Sequence, residues 1–84
     1  MIIHYTKNAE EKFFVLQEHG CQILKEDITS IIATPVGVEK RKEYTYVRGA
    51  VPPEEGLWEV IYKKEDSIVS VMTFYPVKSK EDEV

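Results

Sequence analysis

At 84 residues the chain has room for one domain with a thin core, because so short a chain buries only a little over ~60% of the surface its unfolded form exposes. With 43% hydrophobic and 31% charged residues, it has a globular rather than a disordered composition. A net charge of −4 argues against a domain that grips nucleic acid over its whole surface, since such affinity needs many converging cations.

The charge is unevenly spread. Residues 1–35 net −2, residues 36–50 net +2 through Lys40, Arg41, Lys42 and Arg48, and residues 51–84 net −4. Only the middle segment offers a local phosphate-binding cluster. Cys21 is the single cysteine, so no internal disulfide forms, and no zinc-ligand spacing is present; a reducing, cytoplasmic setting without metal or cofactor is expected. No apolar run approaches the ~18 residues of a membrane span, and the start lacks the apolar core of a signal peptide.

Residues 2–5 read as a short extended lead-in. A first helix starts near 6–8, where Asn8 and Glu11 fit a capping box. Ala9, Phe13 and Leu16 share one stripe of it, and His19-Gly20 reads as its end, Gly20 being free to adopt the left-handed conformation. A second helix is predicted over 24–33. Its stripe is Leu24, Ile28, Ile31 and Ile32; Pro35 stops it, and Leu24 leaves its start poorly capped. The short joint 20–23 suits a helical hairpin. A long first strand is predicted over 38–48, then a loop over 49–56 around Pro52-Pro53 and Glu54-Glu55, which no strand interior accepts. Further strands are predicted over 57–63 and 68–75. Residues 78–84 read as a frayed acidic tail, so that 1–84 form one domain ordered over about 2–77.

If Glu65-Asp66 is a two-residue turn, Lys64 pairs with Ser67, Tyr62 with Val69, Val60 with Val71 and Trp58 with Thr73. One sheet face then carries Trp58, Val60, Tyr62, Val69, Val71 and Tyr75, and should receive the helices. The other carries Leu57, Glu59, Ile61, Lys63, Ser70, Met72 and Phe74. A one-residue slip would mix the two sets. Leu57, Ile61, Met72 and Phe74 thus form an apolar patch on the open face, the mark of a binding surface. The expected fold is α+β in two layers: an αα-hairpin on a three-stranded antiparallel β-meander, in the order ααβββ.

That arrangement resembles the RelE/ParE toxin fold of toxin–antitoxin systems, and more closely its small uncharacterised relatives. The matching residues are Tyr5-Thr6-Lys7-Asn8-Ala9 at the first helix, Thr34-Pro35 after the second, and Val71-Met72-Thr73-Phe74-Tyr75-Pro76 in the last strand. The resemblance implies an antitoxin-like protein partner. In the members that cut messenger RNA, it implies Arg and Lys side chains on the open face and an ionisable residue near the end of the last strand. Arg48 and Tyr75 are the nearest candidates for those catalytic roles. Related sequences often read Leu-Arg-Val where this chain has Leu57-Trp58-Glu59-Val60, so the guanidinium is absent and a nearby carboxylate repels phosphate.

Other constellations have plainer readings. His4 and His19 stand at opposite ends of the first helical segment, as surface or capping residues rather than an acid–base pair. Lys40, Arg41, Lys42 and Arg48, interleaved with Tyr44 and Tyr46, have the composition that stacks and charge-pairs with single-stranded RNA; a solvated strand edge with aromatic cross-strand packing is the plainer and preferred reading. Cys21 has no sequence neighbour that would activate its thiol. The reading is a small toxin-like interaction protein, without strong nuclease activity, that binds a protein partner through its open sheet face. A messenger RNA endoribonuclease and a structural homo-oligomer are the alternatives.

Overall fold

Five strands form, where the sequence pattern suggested three. The computed structural model describes residues 2–51 and 56–77, so the proline-containing loop core and the acidic tail lie outside the described residues. In chain order the elements are β1 (Ile2–Tyr5), α1 (Lys7–Glu18), α2 (Lys25–Ala33), β2 (Gly37–Arg41), β3 (Tyr44–Val51), β4 (Gly56–Glu65) and β5 (Ile68–Val77). They build one mixed sheet in the order β1-β5-β4-β3-β2. The ααβββ hairpin-on-meander expectation is therefore corrected.

Two features account for the extra strands. The lead-in Ile2–Tyr5 adds to the sheet edge parallel to β5, pairing Ile3 with Val69 and Tyr5 with Val71. A parallel edge strand is held by partners distant in sequence, which local pattern does not reveal. The long strand expected over 38–48 folds back on itself at Lys42-Glu43, with Arg41 opposite Tyr44. Lys42 there has φ 54°, a conformation that glycine or asparagine usually marks, and lysine gave no such signal. Strand β3 then continues through Gly49 and Ala50 to Val51, into residues expected to be loop.

The helices also differ from a hairpin. Each packs on the sheet rather than on the other, α1 over β5 and β1, α2 over β3 and β4. Helix α1 is capped by Thr6, whose Oγ1 accepts from the Ala9 amide at 3.4 Å, not by Asn8. Gly20 closes it as expected, at φ 82°. The uncapped start of α2 is repaired from inside: the Leu24 amide donates to Asp27 Oδ2 at 2.8 Å. Tyr5 ties β1 to α2, its hydroxyl donating to the Lys25 carbonyl at 3.1 Å.

Register is where the structure departs furthest from the pattern. The β4–β5 turn is Asp66-Ser67, with Glu65 opposite Ile68, and Asp66 takes φ 57°. Tyr62 consequently pairs with Val71. The ladder then slips by one residue, Ile61 facing Thr73, Val60 facing Phe74 and Trp58 facing Pro76. Met72 is the extra residue of a β-bulge, and beyond it every side chain of β5 changes face. Thr6 holds this bulge: its amide donates to the Val71 carbonyl at 3.1 Å, and its hydroxyl to the same carbonyl at 2.9 Å, with the Met72 carbonyl at 3.3 Å.

The helix-covered face consists of Val47, Trp58, Val60, Val69, Val71 and Phe74 against Ala9, Ile28, Ile31 and Ile32. Phe74 is fully buried, its ring 4.6 Å from Phe13 and 6.2 Å from Trp58. Phe13 and Leu16 are only partly buried at the edge of this core, and Leu24 is exposed, outside the stripe expected of it. At Gly49 the helix sits almost on the backbone. A Cβ there would lie 2.9 Å from Ile31 Cγ1, closer than carbon atoms pack.

Two outcomes follow. Gly49→Ala should destabilise by about 1–3 kcal/mol, as overpacking does, and Ile31→Ala, which removes the two γ carbons nearest that site, should cost less in the Gly49→Ala chain than in wild type; denaturant midpoints measure both. Thr6→Ala should cost about 1–3 kcal/mol through the lost cap and bulge bonds, while Thr6→Ser should cost much less. Equal midpoints for Thr6→Ala and wild type would refute the role given to that hydroxyl.

Candidate functional site on the open sheet face

With both helices on one side, the other side of the sheet has no covering element among the described residues. Its residues follow from the pairing. One row crosses four strands as Gly37, Arg48, Glu59 and Tyr75, and the next as Glu39, Tyr46, Ile61 and Thr73. Leu57, opposite Ala50 and Val77, extends the face on one side; Lys63, between Tyr44 and Ser70, extends it on the other.

The four residues read as an apolar patch separate. Leu57 and Ile61 share the open face and are half-buried. Phe74 belongs to the core on the opposite face, and Met72 sits at the bulge. Thr73 and Tyr75 take their places on the open side. Tyr75, expected under the helices, is thereby delivered to the open face beside Glu59. The open face is thus mixed: Leu57, Ile61, Tyr46 and Tyr75 surround a carboxylate.

Glu59 is the unusual member. Its side chain is 9% exposed, although it faces away from the helices, and Arg48 Nε lies 3.5 Å from its Oε1. Sequence reading brought in Glu59 only as a residue that repels phosphate. The available signal was a lone carboxylate inside the apolar run Leu57-Trp58-Glu59-Val60-Ile61, a placement that calls for a partner. Arg48 and Tyr75, the pair suggested by the resemblance, flank it on neighbouring strands. Burial pushes the Tyr75 hydroxyl above its ordinary pKa, and the Glu59 charge pushes it further in the same direction.

The other cations of this face are also matched. Arg41 meets Glu39 at 2.6 Å, and Lys63 meets Glu43 at 3.1 Å and Glu65 at 3.8 Å. The bond from Arg41 holds the Glu39 carboxyl below its usual range, and Glu43 raises the Lys63 ammonium. The Arg41 guanidinium also lies over the Tyr46 ring at 5.0 Å. Lys40, Arg41, Lys42 and Arg48 do not converge: Arg41 and Arg48 are on the open face, Lys40 is on the opposite face of its strand, and Lys42 is in the turn.

His4 lies on β1 and His19 at the far end of α1, its Nδ1 2.8 Å from the Val15 carbonyl. Cys21 packs against the core. Among the described residues no three His, Cys, Asp or Glu side chains group as a metal site, and no described helix is long and apolar enough to cross a membrane. Comparison with family models, curated proteins and solved structures finds no match to this chain.

The raised Tyr75 pKa sets a sign for alkaline stability. The folded state keeps the phenol proton longer than the unfolded state. Its contribution is therefore complete below the ordinary phenol value of about 10, and is lost as pH climbs through the raised folded value. Tyr75→Phe should flatten the fall in melting temperature above that pH. An unchanged slope in the variant would show that Glu59 and burial do not act on this hydroxyl.

Proposed function

We propose that this chain is a cytoplasmic interaction protein, related to the RelE/ParE toxins, that binds a protein partner of antitoxin type through its open sheet face. The observation that carries the reading is the pairing of charges on that face. Arg41, Arg48 and Lys63 each lie beside a carboxylate of the same chain. A polyphosphate ligand draws its affinity from cations that are free to exchange counterions for phosphates. Cations already neutralised, with a buried Glu59 among them, are poorly suited to RNA. Tyrosines and half-buried aliphatic side chains around a polar centre suit a protein surface better.

One observation favours a second reading, an endoribonuclease. Arg48 and Tyr75 stand on either side of Glu59 in one cross-strand row, so a cation, a hydroxyl and a carboxylate meet at one place.

Ile61→Glu separates the possibilities. Ile61 is half-buried and on the open face, so the variant should keep the circular dichroism spectrum and cooperative melting of wild type. It should lose association, either with the product of an adjacent small reading frame or with a second copy, by about tenfold or more. Unfolding would make Ile61 a core residue. Folding with unchanged association would place the binding surface elsewhere. If the second reading holds, induced expression should arrest bacterial growth with messenger RNA cleavage, and Arg48→Ala should abolish both.

A further inference from the structure

On the open face Gly37, Val38, Glu39, Tyr46, Arg48 and Glu59 line a notch of about 210 Å³. We propose that this notch receives a cationic side chain, arginine or lysine, from the partner segment, with the Glu59 carboxylate as its acceptor; the inference rests on the open face being the partner surface.

Burial sets the polarity of the notch. Glu59 is the fixed group, its side chain 9% exposed, while Arg48 is 52% exposed and 3.5 Å away. A charge-assisted hydrogen bond is shorter, about 2.7–2.9 Å, so the pair is loose and Arg48 is the partner free to leave. An incoming cation replaces Arg48 and leaves the carboxylate paired. An incoming anion has to draw Arg48 away and strands a buried negative charge, which is strongly unfavourable. The site thus selects a donor.

Its surroundings agree. Glu39, at the rim, is held by Arg41 at 2.6 Å, which leaves Glu59 as the carboxylate with the weaker hold on its partner. Tyr46 supplies an aromatic wall of the kind that attracts cations, and already has Arg41 over its ring. Gly37 keeps the row open at β2. A Cβ there would meet only Arg48 Cβ, at 4.0 Å, and its φ is not in the left-handed region. Neither crowding nor backbone conformation calls for glycine at 37, and what the missing side chain provides is space.

The test uses N-acetyl-arginine methylamide as probe and inorganic phosphate as its opposite, each titrated into the isotope-labelled full chain and followed by amide chemical shifts. The arginine amide should give saturable shifts centred on Gly37, Arg48 and Glu59. Glu59→Gln should weaken it about tenfold or more, as removal of a charged acceptor does, and Glu43→Gln should leave it unchanged. Arg48→Ala should tighten it several-fold, because the probe then takes the vacated place. No saturable shift in wild type, equal binding by Glu59→Gln, or phosphate acting at the same amides would overturn the proposal. Should Glu59→Gln fail to fold, weaker binding by Arg48→Ala overturns it. The face itself is judged separately by Ile61→Glu. Arginine amide binding alongside partner binding that ignores Ile61→Glu keeps the notch and removes the face reading; the converse removes the notch alone.

Discussion

The contact on which the rest of the molecule depends is the grip of Thr6 on the bulge at Met72. Thr6 leaves the sheet at the end of β1, caps α1 through its hydroxyl oxygen, and donates to the carbonyls where β5 slips register. Three requirements meet in one side chain: ending the parallel edge strand, starting the helix, and satisfying backbone groups that a bulge leaves without ladder partners. The slip lets Val71 and Phe74 both point into the core, which strict alternation along one strand would forbid. The same slip turns Tyr75 outward to Glu59. Core and candidate site are thus two consequences of one extra residue.

Beneath that grip the packing is conventional in its physics and tight in one place. Ile28, Ile31, Val47, Val60, Val69, Val71 and Phe74 supply the fully buried side chains, each worth about 1.5–3 kcal/mol of transfer free energy. Helix α2 approaches β3 so closely at Gly49 that a methyl group there would displace Ile31. Trp58 stands opposite Gly49 in the sheet, so a large side chain on β4 is set beside an absent one on β3. This fixes where α2 lies, and through α2 leaves the other face without a described covering element.

That open face has its own logic. Each strand contributes either an apolar group or one half of a charge pair, and the pairs form across strands or along one strand (Arg48 with Glu59, Arg41 with Glu39). Neutralisation within the sheet keeps the face from acting as a general anion trap, and the loose Arg48–Glu59 pair is the one that a ligand of suitable charge could exchange. A buried carboxylate on an uncovered face has a desolvation cost, against which Arg48 is the nearby cation.

Much of this was legible locally. The Ala9, Phe13, Leu16 and Ile28, Ile31, Ile32 stripes marked two helices, Gly20 marked the end of the first, and the β-branched runs marked β4 and β5, because side-chain period and turn preference are properties of neighbouring residues. Trp58, Val60, Tyr62, Val69 and Val71 were correctly placed toward the helices, since alternation holds up to the bulge. What only the tertiary structure decided was non-local or lacked a residue signature. The Lys42-Glu43 turn uses a positive φ on lysine; β1 finds its place only once β5 exists; and the bulge at Met72 is marked by no glycine and is held by a threonine 66 positions earlier. Phe74 and Tyr75 exchanged faces for that reason. The chain by itself determined which residues are apolar enough to be core and where helices can start and stop. The long-range contact between Thr6 and β5 decided which side of the sheet each residue beyond Met72 would face, because a strand's facing is set by hydrogen bonds to its neighbours and not by its own composition.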